Sequence, residues 1–86
     1  MRDWMERFRT ESVGLQPRTL VELYGNERVL IEEHRGILGY GAEQIRVGAS
    51  FGLVMIEGSH LHLCCMSRSQ LVVRGRIASV RMEVEG

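Results

Sequence analysis

The chain has 86 residues and a mass of 9.8 kDa, enough for one core, because two would each fall below the size at which burial offsets chain entropy. A hydrophobic fraction of 44% and a charged fraction of 26% fit an ordinary globular domain and exclude disordered, collagenous and low-complexity classes. Eleven basic and eleven acidic residues cancel, so no global field draws nucleic acid or an anionic membrane. A domain this small also leaves no deep cleft between two lobes.

Over residues 1–10 the apolar side chains Met1, Trp4, Met5 and Phe8 follow the i, i+3, i+4, i+7 spacing of one helical face. The spacing predicts a short amphipathic helix. Such a helix does not persist alone in water, so its stripe must dock, on its own sheet or on a neighbouring subunit. Trp4, Met5 and Phe8 are therefore the expected interaction residues, large side chains that bury much area at little entropic cost. The membrane surface is the weaker alternative, since Asp3 and Glu6 offset Arg2, Arg7 and Arg9. Ser12, Gly14 and the single proline, Pro17, read as a connector. Residues 1–18 are thus helix and connector, and residues 19–86 a single β domain.

From Thr19 onward short β-rich runs alternate with glycine. Strands are expected near residues 20–24, 29–34, 37–40, 44–47, 53–57, 60–66, 70–74 and 77–84. Gly25 and Asn26 suit a tight hairpin between the first two. Val21 and Leu23 oppose Glu22, Val29 and Ile31 oppose Glu32, and Ile45 and Val47 oppose Arg46, the alternation of half-buried antiparallel strands. The gaps are too short for crossover helices. The expected fold is all-β, a small antiparallel glycine-paced sheet built as a sandwich, a barrel or a short solenoid-like stack. Its expected core is Val21, Leu23, Val29, Ile31, Ile45, Val47, Val54, Ile56, Leu61, Leu63, Val73, Ile77 and Val80. A strand-glycine-strand echo links the stretch from Leu53 to Leu63 with that from Leu71 to Val80.

Cys64 and Cys65 are adjacent, and neighbours on a strand point to opposite faces, so no intradomain disulfide framework is expected. No charged start with a long apolar run marks a signal peptide, and no apolar stretch nears the ~18 residues of a membrane span. The reading is a reducing, cytoplasmic compartment. Every basic residue is arginine, for which codon bias is sufficient explanation.

His60, His62 and Cys64 at alternate positions project from one strand face, and imidazole with thiolate suits zinc. A partly covered face shared with Met66 explains the same residues, and a fourth ligand is missing. No metal, cofactor or catalytic residue is therefore assigned. Cys64 as a nucleophile lacks an orienting acid and an oxyanion site. The glycines at 36, 39 and 41 lack the helix of a phosphate-binding loop. Arg74, Arg76 and Arg81 are offset by Glu83 and Glu85, against an RNA-binding barrel.

The run from Ile31 to Ile37, then Tyr40 and Gln44 to Val47, resembles the body of the YabP/YqfC family of sporulation proteins. The stretches from Gly52 to Gly58, Leu61 to Leu63 and Val73 to Val80 continue the likeness, and the short length is similar to the YqfC branch. The resemblance implies a mother-cell protein of an endospore former with no catalytic activity and no catalytic residues. It also implies a membrane-embedded sporulation protein as partner. Two classes of function follow. One is a non-enzymatic assembly or interaction module, working as a homo-oligomer or on another protein. The alternative is a small metal-binding or redox β domain using His60, His62 and Cys64.

Overall fold

The computed structural model describes residues 17–85; the expected helix with Trp4, Met5 and Phe8 lies outside them. The described residues form six strands: β1 (Leu20–Tyr24), β2 (Arg28–Glu32), β3 (Ile37–Gly39), β4 (Gln44–Ala49), β5 (Gly52–Met66) and β6 (Gln70–Val84). They make one open antiparallel sheet in the order β1-β2-β6-β5-β4-β3. The all-β antiparallel expectation is met. Eight expected strands become six because residues 53–57 and 60–66 are one 15-residue strand, as are 70–74 and 77–84.

The glycines between those pairs are bulges rather than turns. The β5–β6 register slips between Glu57 and Gly58, between Ser59 and His62, and between Leu63 and Cys65. His60 has φ 57° and Gly75 φ 141°, and extra residues of this kind bend a ladder without ending it. The long hairpin is thereby creased across its middle. On one side of the crease β2 pairs with residues 70–74 of β6 and carries β1 on its other edge; on the other side β4 pairs with residues 52–57 of β5 and carries β3.

The two sides are built alike. The β1–β2 turn offers the Asn26 and Glu27 carbonyls to Ile77 N–H (2.8 Å) and Gly75 N–H (3.2 Å). The β3–β4 turn likewise offers the Ala42 and Glu43 carbonyls to Leu61 N–H (2.8 Å) and Gly58 N–H (3.1 Å). Leu71, Val73 and Gly75 thus correspond to Val54, Ile56 and Gly58. The echo in the sequence is the trace of this pseudo-two-fold.

Val29, Ile31, Ile45, Val47, Val54, Ile56, Leu71 and Val73 are wholly buried. No helix among the described residues covers them, so the creased sheet covers itself as two layers around one core. Leu61, Ile77 and Ala49 complete that core, with Val21, Ile37, Phe51, Leu63 and Val80 packed at its margin. Leu23 does not join it. It lies on the core face of β1 but near the end of an edge strand, where it is 56% exposed. Leu71, Ala49 and Phe51 take part although the alternation did not single them out.

One end of the sandwich is pinned by polar contacts. Thr19 Oγ1 donates to the Glu33 carbonyl (2.7 Å) and accepts from Ser50 N–H (2.8 Å), while Thr19 N–H donates to Ser50 Oγ (3.0 Å). His34, also buried, accepts at Nδ1 from Gly36 N–H (3.0 Å) and meets the Ser67 carbonyl at Nε2 (2.9 Å). The contact at Nδ1 requires the tautomer with its proton on Nε2, which donates to Ser67.

Candidate functional site

The His60–Cys64 stretch lies on the second half of β5, an outer strand of its layer. His60 sits at the crease and is exposed, as are His62, Cys64 and Cys65. His62 Nδ1 lies 3.2 Å from the His60 carbonyl, so part of its bonding capacity is used locally. His62 stands opposite Arg74, Leu63 opposite Val73, Cys65 opposite Val72 and Met66 opposite Leu71.

The slip at Cys64 reverses the alternation expected from the sequence. Opposed residues share a face, so Cys65 joins Val72 on the outer face while Met66 falls on the core face of Leu71. His60, His62, Cys64 and Met66 therefore do not make one continuous row. Among the described residues no three His, Cys, Asp or Glu side chains come together as a metal-binding group. His34, the remaining histidine, spends both ring nitrogens on Gly36 and Ser67.

Two shallow depressions mark the surface. The first is lined by Arg18, Thr19, Leu20, Arg35, Ser50 and Phe51, beside the Thr19–Ser50 contact. The second lies over the crease, between Asn26, Glu27, His60, His62, Gly75 and Arg76. Both are open troughs, without the enclosure that strengthens a charge or excludes water from a reacting group.

What the surface does offer is apolar side chains at the margins of the sheet. Leu20, Leu23 and Tyr24 on β1, Leu38 and Tyr40 at β3, Met66 on β5, and Met82 and Val84 on β6 are each more than two-fifths exposed. Some are partly engaged. The Arg28 guanidinium lies 4.4 Å from the Tyr24 ring centre, and Tyr40 OH accepts from Leu63 N–H (3.2 Å). Met82 and Val84 stand opposite Val54 and Gly52 on the core face, yet are 60% and 71% exposed. That part of β6 is the outermost strand of its layer and extends beyond the cover of the other. The expected contact residues Trp4, Met5 and Phe8 precede the described residues, so the exposed apolar side chains that the structure itself displays are those of the sheet margins.

No curated protein and no solved structure matches the chain. The sequence model of the YabP family matches residues 15–86, the whole β domain. A glycine-paced sheet running the length of that match, creased at Gly58 and Gly75, is the fold that carries the resemblance seen in the sequence; the chain belongs to the YabP family, a membership that points to a role in sporulation.

Proposed function

We propose that this chain is a non-enzymatic association module that acts in the mother-cell cytoplasm of a sporulating bacterium, through contacts with copies of itself and with a membrane-embedded sporulation protein. The observation that carries the reading is the set of large apolar side chains exposed along the margins of the sheet. Such side chains, beside main-chain groups without a ladder partner, are the usual material of strand addition. Trp4, Met5 and Phe8, at helical spacing in the sequence, are the second apolar set that the reading invokes. Among the described residues no helix is long and apolar enough to cross a membrane, so attachment to a membrane through a partner fits the reading.

The test is capture of the full chain from sporulating cells by a C-terminal affinity tag after crosslinking, with mass spectrometry of what comes down. The expected result is enrichment of a membrane-embedded sporulation protein that is lost when Leu23 and Tyr24, or Trp4 and Phe8, are replaced by serine. Recovery of the chain alone, equal to a tag-only control, refutes the proposal. Turnover of generic ester, phosphate or nucleotide substrates that survives repurification refutes its non-enzymatic part.

A further inference from the structure

We infer that the second half of β6 pairs edge to edge, antiparallel, with the same segment of a second copy in a register centred on Met82; the inference deepens the association reading and rests on it.

The argument starts from which way the main chain points. Glu85 N–H donates to the Phe51 carbonyl (2.8 Å), and the register runs without a slip from Gly52 opposite Val84 to Glu57 opposite Ser79. In an antiparallel ladder, hydrogen-bonded and non-hydrogen-bonded pairs alternate. Glu83, Arg81 and Ser79 therefore bond to β5, and the N–H and C=O groups of Val80, Met82 and Val84 point away from it. β2 pairs with β6 only from Gln70 to Arg74, and its turn reaches no further than Ile77. Among the described residues that outer row has no ladder partner.

The other edges suit pairing less well. β1 has five residues and β3 three, and the outer half of β5 is broken by the slip at Cys64. The second half of β6 is regular, and its core-face side chains Met82 and Val84 are exposed. Natural edges are usually blunted by bulges or inward charges; this one has neither.

Charge then selects the partner and the register. Arg81 and Glu83 lie on the outer face, joined by an ion pair at 3.2 Å. A two-fold axis at Met82 puts Arg81 opposite Glu83 of the partner subunit, Glu83 opposite the partner's Arg81, and Val80 opposite the partner's Val84. Met82 faces its own copy, and the row of outward main-chain groups on each chain is met by the other. Shifting the centre to Arg81 opposes two arginines, and shifting it to Glu83 opposes two glutamates, both unfavourable. The segment is thus self-complementary in main chain, in apolar row and in charge, as an isologous interface requires. Pairing extends the β3-β4-β5-β6 layer into a continuous sheet across two chains.

The experiment is sedimentation equilibrium and light scattering of the intact chain, four substitution variants and a chain lacking residues 1–16. The expected wild type is a dimer. Arg81→Glu and Glu83→Arg each raise its dissociation constant at least about tenfold by opposing like charges, and the double variant R81E/E83R restores it. Met82→Pro, which removes an N–H that β5 does not use, abolishes the dimer while the β-sheet circular dichroism spectrum is kept. A monomeric wild type, or a dimer indifferent to both single charge reversals, overturns the inference. So does a dimer lost on deleting residues 1–16 but unchanged by the edge variants, which assigns the contact to the N-terminal segment. A monomer that still captures a membrane-embedded sporulation protein overturns edge pairing alone; a monomer that captures nothing overturns the association reading as well.

Discussion

Thr19 shares its polar groups between two stretches of chain, the Glu33 carbonyl at the end of β2 and Ser50 in the β4–β5 turn. With 6% of its surface exposed, the hydroxyl has little recourse to water. Thr19→Val keeps the volume and removes the hydroxyl, leaving Ser50 N–H and the Glu33 carbonyl each short of a partner. The expected loss is about 1–3 kcal/mol by urea denaturation, with an unchanged slope. A loss below about 0.5 kcal/mol would show that solvent replaces the hydroxyl. Two leucines give a paired prediction. Leu71→Ala, at a wholly buried position, should cost about 2–5 kcal/mol, whereas Leu23→Ala, 56% exposed, should cost under about 1 kcal/mol. The alternation made Leu23 a core candidate and did not single out Leu71, because it reports only which face of its own strand a side chain lies on. How far the opposite layer extends over that face is set by tertiary packing, and at Leu23 it does not reach.

At the scale of elements, β1 was legible from the sequence to the residue, and β2 and β4 to within two residues at either end. The long hairpin was legible in content but not in continuity. At Gly58 and Gly75 the sequence leaves a turn and a bulge equally open, because glycine reports only that the backbone leaves the ordinary pleat, which both do. Long-range pairing decides between them, and no local pattern carries it. The same limit applies to the His60, His62 and Cys64 row: strict alternation predicts one face, and the slip at Cys64 hides the break. The bulge reading has its own test. A Cβ on Gly58 would lie 2.0 Å from the Arg76 carbonyl oxygen, and one on Gly75 would lie 2.6 Å from that of His60 while holding φ 141°. In both cases the obstacle is main chain, which cannot rotate aside. Gly58→Ala and Gly75→Ala should therefore each cost more than about 2 kcal/mol, or prevent folding. Were these loop glycines, alanine would be tolerated within about 1 kcal/mol. Melting curves of the two variants, set beside Ala78→Gly at an exposed position of β6, make the comparison.

For the whole molecule, the crease has a consequence for cooperativity. Each layer contains half of β5 and half of β6, so neither is a contiguous stretch of chain and neither can unfold while the other keeps its central strands intact. Core residues from both sides, Val29 and Ile31 on one and Ile45 and Val47 on the other, belong to a single cluster. A pseudo-two-fold built from two separate repeats would permit stepwise loss, as in repeat arrays. Interleaved halves instead predict one transition. Ile31→Ala and Ile45→Ala should each lower the same melting transition, and the calorimetric and van't Hoff enthalpies should agree at concentrations low enough to keep the chain monomeric. Hydrogen exchange should place the amides of Ile56 and Val73, one in each layer, at the same opening free energy, that of global unfolding. If Ile45→Ala split the melt in two, leaving Val73 protected while Ile56 exchanged, the layers would be separable units and the crease a hinge between them.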